Sequence, residues 1–202
     1  MSDSVLDLVT QALGSGGTAQ IGQQLGLDEK TTANAVSGAL PVLLGALARN
    51  SSSNDGAGSL AGALDRDHDG SILDDIGGFL GSGNATNAGE GILKHMLGGR
   101  QGQVQNGLGA ASGMNSGQAG QLLAMLAPIV MGALGKAQRG RGLDAGGLGA
   151  MLGQEQRRME RREPELGGML GSLLDQDGDG SVVDDITKIG GSLLGGLLGG
   201  RR

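Results

Sequence analysis

The feature that most constrains the fold of this chain is an acidic loop that occurs twice. Residues 65–76 and residues 175–186 both follow the pattern D-x-D-x-D-G-S-x-x-D-D-I. Carboxylates at loop positions 1, 3 and 5, followed by a glycine at position 6, are typical of a chain that wraps a hard cation such as Ca²⁺. Such loops join two helices. The pattern therefore predicts two helix-loop-helix units that bind one Ca²⁺ ion each.

The predicted ligands are side-chain oxygens of both loops. A standard EF-hand loop ends with a bidentate Glu at position 12, but Ile76 and Ile186 stand there, so the closing carboxylate has to come from position 10 or 11. In this respect the two loops locally resemble the shortened or dockerin-type variants of the EF-hand loop. The alternative is a plain Asp-Gly turn followed by an acidic helix start that the helix dipole stabilises. The predicted metal ligands are Asp65, Asp67, Asp69, Ser71, Asp74 and Asp75 in the first loop, and Asp175, Asp177, Asp179, Ser181, Asp184 and Asp185 in the second.

Other segments of the two halves also align. Residues 40–47 (LPVLLGAL) correspond to residues 127–134 (APIVMGAL). Asp28 and Asn115 precede these segments as predicted helix N-caps, because each has Thr or Gln three residues later. We therefore predict a duplicated helical unit, residues 1–87 and 88–202, in which each copy ends with an acidic loop and its exiting helix.

The fold class predicted from the sequence is all-α. No stretch alternates with period two over enough β-branched residues to indicate a sheet.

Pro41 and Pro128 each lack a backbone donor, so each either starts a second helix or kinks a continuous one, and we predict two short helices meeting at a turn. Ser71 resembles the N-cap of the helix that leaves the first loop. Residues 49–58 and 81–90 read as flexible Gly-rich linkers.

The composition limits the core to aliphatic side chains. The chain has no Trp or Tyr, one Phe, and 44 Gly among 202 residues. Burial has to come from Leu, Ala, Val, Ile and Met, in close packing of small side chains.

Charge and residue types exclude several classes of function. Residues 1–87 hold 10 acids and 3 bases, whereas residues 88–202 hold 11 acids and 12 bases. Neither half is basic enough for binding that depends on phosphate neutralisation, which disfavours nucleic acid as a partner. The absence of Cys removes disulfides, thiolate zinc sites and thiol nucleophiles. His68 and His95 have no partners that would make a catalytic set, so we predict that the protein is not an enzyme.

The two ends of the chain bear on location and association. Asp3 and Asp7 stand where a secretory signal has basic and apolar residues, so we predict a cytoplasmic protein. The apolar tail, residues 189–200, is too short to span a membrane, and we predict no transmembrane segment. Gly191, Gly195 and Gly199 are spaced for close helix packing, which leaves three uses for the tail: packing within the chain's own core, association in a homo-oligomer, or contact with a membrane surface.

Four segments carry a resemblance to a known family. They are residues 6–9 (LDLV), 20–27 (QIGQQLGL), 35–41 (AVSGALP) and 43–47 (LLGAL). As a set they resemble the bacterial YidB-like family, domain of unknown function 937, and the acidic loops resemble those of its longer members. The resemblance implies a helical, homeodomain-like arrangement for part of each unit and implies no activity.

The sequence thus leaves two hypotheses for function. The first is a non-enzymatic Ca²⁺-binding scaffold or interaction protein, in which metal orders the Gly-rich helices and promotes self-association; its protein partner is not indicated. The alternative is a helix-turn-helix nucleic-acid binder, which needs a basic recognition helix. The segments that would serve as recognition helices, residues 28–39 and 115–126, contain one Lys between them.

Overall fold

The structure, a computed structural model, describes residues 4–14 and 16–162. All regular elements in this part of the chain are helical, which confirms the predicted all-α class. The second acidic loop and the apolar tail lie outside the described residues. The helices are α1 (Val5–Gly14), α2 (Gly17–Leu25), α3 (Glu29–Asn50), α4 (Asn54–Asp67), α5 (Ile76–Gly81), α6 (Ala85–Leu97), α7 (Gln101–Ser112), α8 (Ser116–Arg141) and α9 (Ala145–Arg162), with 3₁₀ turns at Ser71–Leu73 and Gly98–Arg100.

Helix α8 forms the centre of the fold. Every residue from 122 to 135 is buried, over roughly 20 Å of helix. Helices α1, α2, α3, α4, α6 and α7 pack around it, and α9 packs on α3 and α4. One cluster of buried side chains extends from Val5 to Leu152 and contains no aromatic residue, as the composition predicts. The division at residue 87 and the duplication stay predictions.

The two longest helices are apolar because they build this core. By length and composition alone, α3 and α8 could each cross a membrane. However, 67% and 78% of their most apolar stretches are buried within the protein itself. Packing against the other helices is a sufficient reason for their composition.

Both proline-containing segments are continuous helices, so the predicted break at each proline is wrong. Pro41 lies inside α3 and Pro128 inside α8. Each proline removes one intrahelical donor, but burial on many sides holds the helix together. In α8 the affected carbonyl is that of Ala124, four residues before Pro128. Gly89 of α6 lies so close to this carbonyl oxygen that a Cβ at position 89 would overlap it.

The two predicted linkers are also mostly helical. Helix α3 continues to Asn50, and α4 begins at Asn54, capped by Ser53, whose hydroxyl accepts from Gly56 N at 3.1 Å. Residues 82–84 are all that separates α5 from α6. The Ser, Asn and Gly residues that suggested flexible chain are therefore helix caps and short turns.

The predicted N-caps at Asp28 and Asn115 are confirmed. Asp28 Oδ1 accepts from Thr31 N at 2.9 Å, and its other oxygen accepts from the Thr31 hydroxyl at 2.6 Å. Asn115 Oδ1 accepts from Gln118 N at 2.8 Å, while Gln118 Oε1 accepts from Asn115 N at 3.1 Å, which completes a capping box. A left-handed glycine precedes each of these caps by two residues, Gly26 with φ 65° and Gly113 with φ 72°.

Side-chain amides also join neighbouring helices by capping carbonyls at their C-terminal ends. Gln118 Nε2 donates to Leu25 O at 2.9 Å, at the end of α2. Asn50 Nδ2 donates to Met96 O at 3.0 Å, near the end of α6. These carbonyls have no intrahelical donor, so each bond satisfies an orphan acceptor and fixes one helix against another.

Candidate metal site at the first acidic loop

The first acidic loop lies between α4 and α5. Helix α4 continues to Asp67, so both Asp65 and Asp67 belong to its last turn. Gly70 then takes a left-handed conformation with φ 91°, which favours glycine, and the chain enters the 3₁₀ turn Ser71–Leu73.

Two loop carboxylates are occupied by local hydrogen bonds. Asp69 Oδ1 accepts from Ser71 N at 2.9 Å and from the Ser71 hydroxyl at 2.6 Å. These bonds lower the pKa of Asp69, and the charge of Arg139 lowers it further, against a smaller opposing effect of desolvation. Asp75 Oδ1 accepts from Gly78 N at 2.8 Å and is the N-cap of α5. The predicted cap at Ser71 is therefore wrong, because the Ser71 hydroxyl is turned toward Asp69.

The loop carboxylates point to solvent and do not converge. Asp65, Asp67, Asp69, Asp74 and Asp75 are all exposed. Within residues 4–14 and 16–162, no group of three or more His, Asp or Glu side chains is placed to hold a metal ion. Asp65 and Asp67 are two residues apart on a helix, so their side chains face different directions. Metal binding by the predicted ligands of the first loop stays a prediction, and the second loop lies beyond the described part.

The loop packs against two glycines of α8. A Cβ at Gly135 would overlap the carbonyl oxygen of His68, and a Cβ at Gly132 would overlap the side chain of Ile72. The backbone of the loop can approach α8 this closely only because these α8 positions lack side chains. A change in the conformation of the loop would therefore act directly on the central helix.

Polar side chains of α8 also contact the loop and the end of α4. Arg139 Nη2 donates to Leu64 O at 3.0 Å, near the end of α4. Lys136 Nζ lies 4.0 Å from Asp74 Oδ1, with both side chains more than half exposed, so this ion pair contributes under about 1 kcal/mol. Gln138 Nε2 donates to Asp65 Oδ1 at 3.3 Å. Sequence reasoning did not find these contacts, because they join residues more than 60 positions apart without any shared motif.

His68 is partly buried at the C-terminal end of α4. Burial lowers its pKa below the ordinary value, and the nearby Asp67 charge opposes this only in part. Burial therefore favours the neutral form of this imidazole. His95 is exposed on α6.

The comparisons with known proteins identify the family. Residues 7–137 match the family described as "Bacterial protein of unknown function (DUF937)". The chain belongs to this family. The match runs from α1 into the C-terminal part of α8 and includes the first acidic loop, and it confirms the resemblance found in the sequence. No curated protein and no solved structure matches the chain. Membership in this family assigns no activity to the site.

Proposed function

We propose that the protein is a non-enzymatic scaffold whose helical core is stabilised by Ca²⁺ bound at its acidic loops. The observation that carries this proposal is the position of the first loop. Five exposed carboxylates lie in the last turn of α4 and on the segment that joins α4 to α5, and that segment is packed against Gly132 and Gly135 of the central helix through the Ile72 side chain and the His68 carbonyl oxygen. A cation bound there would be coupled to the core of the fold.

Binding would require a local rearrangement of the loop. Asp65 and Asp67 diverge because both are helical, so the last turn of α4 has to open for their oxygens to meet around one ion. Neutralisation of the repelling carboxylates by the cation would offset the loss of that turn. Ca²⁺ suits this site better than Mg²⁺, because Ca²⁺ accepts a large and irregular oxygen shell whereas Mg²⁺ demands an octahedral one.

Calorimetric titration of the metal-free full chain with Ca²⁺ tests this proposal. We expect two bound ions, and the substitutions Asp65→Ala and Asp175→Ala should each remove one. Asp55→Ala is the matched control, because Asp55 is an exposed acid in the first turn of α4, away from the loop. The proposal fails if Ca²⁺ produces no heat, or if the loop variants bind as many ions as the control.

Self-association is the second part of the proposed function. The supporting feature is the sequence of residues 189–200, in which glycines at four-residue spacing alternate with paired leucines. Removal of residues 189–202 should lower the sedimentation coefficient if this tail joins two copies. An unchanged sedimentation profile would argue against a homo-oligomer held by the tail.

A helix-turn-helix nucleic-acid binder is the alternative function. The observation in its favour is that α2 and α3, and likewise α7 and α8, are joined by three-residue turns that begin with glycine. Burial argues against it, since residues 122–135 of α8 have no exposed face to enter a groove. Sequence-dependent retention of duplex DNA in an electrophoretic shift at low salt would favour this alternative over the scaffold.

A further inference from the structure

Helices α7, α8 and α9 repeat local features of α2, α3 and α4. A Cβ at Gly22 of α2 would lie 3.2 Å from the carbonyl oxygen of Leu27, and a Cβ at Gly109 of α7 would lie 2.8 Å from that of Met114. Gly109 and Met114 stand 87 residues after Gly22 and Leu27. Three residues separate α3 from α4, and three separate α8 from α9. These matches support the predicted duplication, in which α3 and α8 are counterparts.

The packing between the two sets of helices is reciprocal. Helix α4 contacts α8, and its counterpart α9 contacts α3. The 3₁₀ turn Ser71–Leu73 of the first acidic loop also contacts α8. The first loop therefore lies on the long helix of the other half. Under the predicted duplication, the second loop should lie on α3.

We propose that the second acidic loop, residues 175–186, packs on α3 at residues 45–49, as the first loop packs on α8 at residues 132–136. The two helical segments read GALAR and GALGK. Gly45 is buried, as is its counterpart Gly132, and each segment ends with a basic residue. The occupant of this part of α3 is thus a segment of the same chain, and its docking does not require the proposed Ca²⁺ function.

The residue types of the second loop fit this place on α3. Val182 is the counterpart of Ile72, 110 residues earlier, and can cover the buried glycine of α3 as Ile72 covers that of α8. Asp184 is the counterpart of the aspartate that lies 4.0 Å from Lys136 Nζ, and it would face Arg49 on α3. Arg49 is partly exposed, so its guanidinium is accessible to that carboxylate.

One position differs between the two helical segments. Ala48 stands where α8 has Gly135, and a Cβ at Gly135 would overlap the carbonyl oxygen of His68. The counterpart of His68 is Gly178. A glycine backbone has more conformational freedom, so this carbonyl can move away from the Ala48 methyl group.

The chain between α9 and the second loop is long enough for this docking. Asp65, the first residue of the first loop, is the twelfth residue of α4, and the twelfth residue of α9 is Gln156. Helix α9 extends six residues further, to Arg162, which is about 9 Å. Residues 163–174 can span up to about 40 Å when extended, several times the distance needed to return.

Cross-linking of the full chain in the presence of chelator tests this docking. The chain has no Cys, so two introduced thiols can be joined selectively by a short bismaleimide. The test variant carries Arg49→Cys and Asp184→Cys, and the reference carries Lys136→Cys and Asp74→Cys. The control carries Lys30→Cys and Asp184→Cys, because Lys30 is exposed on α3 about 28 Å from Arg49 along the axis. Gel electrophoresis separates products within one chain from products between chains, and mass spectrometry of tryptic peptides identifies the joined residues.

We expect the test variant to cross-link within one chain at a yield close to that of the reference and at least about tenfold above that of the control, because docking holds the two thiols at a high effective concentration. A smaller excess over the control, or a product that joins two chains instead, overturns the docking. A reference that does not cross-link contradicts the packing of the first loop on α8 and removes the inference with it. Because chelator is present, none of these results depends on Ca²⁺ binding.

A conservative variant decides if circular dichroism shows that Arg49→Cys does not fold. Arg49→Lys keeps the charge and introduces an amine that a zero-length carbodiimide can couple to Asp184. The native pair of Lys136 and Asp74 is the reference within the same chain. Coupling at both places supports the docking, and coupling of Lys136 alone, or of neither, overturns it.

Discussion

At the scale of single residues, Asp69 and Ser71 fix the first loop in its present form. The Ser71 amide and hydroxyl both donate to one Asp69 oxygen, which lowers the pKa of Asp69. A carboxyl group with a lowered pKa contributes stability above its unfolded pKa of about 3.9, and this contribution is lost as the pH falls through the folded pKa. The two bonds therefore favour the loop at neutral pH and release it in acid.

The substitution Ser71→Ala should raise the pKa of Asp69 toward its ordinary value, because the strongest hydrogen bond to the carboxylate is lost. The change can be measured by NMR titration of the carboxyl carbon between pH 2 and pH 6. Ser59→Ala, at an exposed position on α4, should leave the midpoint unchanged. An equal midpoint in wild type and Ser71→Ala would show that these bonds do not set the pKa.

A helix N-cap could be predicted from the sequence where no neighbouring side chain competes for the capping position. Asp28 and Asn115 follow a left-handed glycine and precede an unbroken helix, so capping is their only local use. Ser71 has two acidic neighbours that compete for the same role. Its hydroxyl bonds to Asp69, and Asp75 caps α5 instead.

At the scale of helices, glycines decide which elements approach closely. Gly135 of α8 faces the carbonyl oxygen of His68, whereas Gly140 of the same helix has open space around it. Gly135→Ala should lower the free energy of unfolding by about 1–3 kcal/mol, because backbone atoms cannot turn away from the new methyl group. Gly140→Ala should raise it by up to about 1 kcal/mol through helix propensity. Thermal denaturation followed by circular dichroism gives both values, and equal stability of the two variants would refute close docking of the loop.

A second pair of glycines tests the packing at Pro128. Gly89 of α6 lies against the Ala124 carbonyl that Pro128 deprives of its donor, and Gly91 of α6 faces open space. Gly89→Ala should destabilise the protein by about 1–3 kcal/mol, whereas Gly91→Ala should stabilise it slightly. Urea denaturation of the two variants measures the difference. If Gly89→Ala were as stable as Gly91→Ala, α6 would not approach α8 as described.

The sequence predicts that these segments are helical more accurately than it predicts where each helix begins and ends. The breaks expected at Pro41 and Pro128 do not occur, since tertiary burial outweighs one lost hydrogen bond. Residues 49–58 have the composition of a linker, yet they contain the end of α3 and the start of α4. Local composition does not distinguish a capped junction from a flexible segment.

At the scale of the whole molecule, cross-helix contacts build one core around α8. Leu25 and Gln118, and likewise Asp65 and Gln138, are joined by hydrogen bonds across more than 70 residues of sequence. No periodicity in a single sequence reports such pairs, so the position of the loop on α8 could not be predicted. The aliphatic character of the core could be predicted, because the chain has no Trp or Tyr and only one Phe.

The most direct test of the proposed coupling between Ca²⁺ and the fold is the melting temperature of the full chain in Ca²⁺ and in chelator. Ca²⁺ at a hundredfold excess over Kd should add about 2.7 kcal/mol per site, or roughly 5–10 °C. The same concentration of Mg²⁺ should add much less, and the Asp65→Ala/Asp175→Ala double variant should not respond to Ca²⁺. Equal melting temperatures in Ca²⁺ and in chelator would contradict the account.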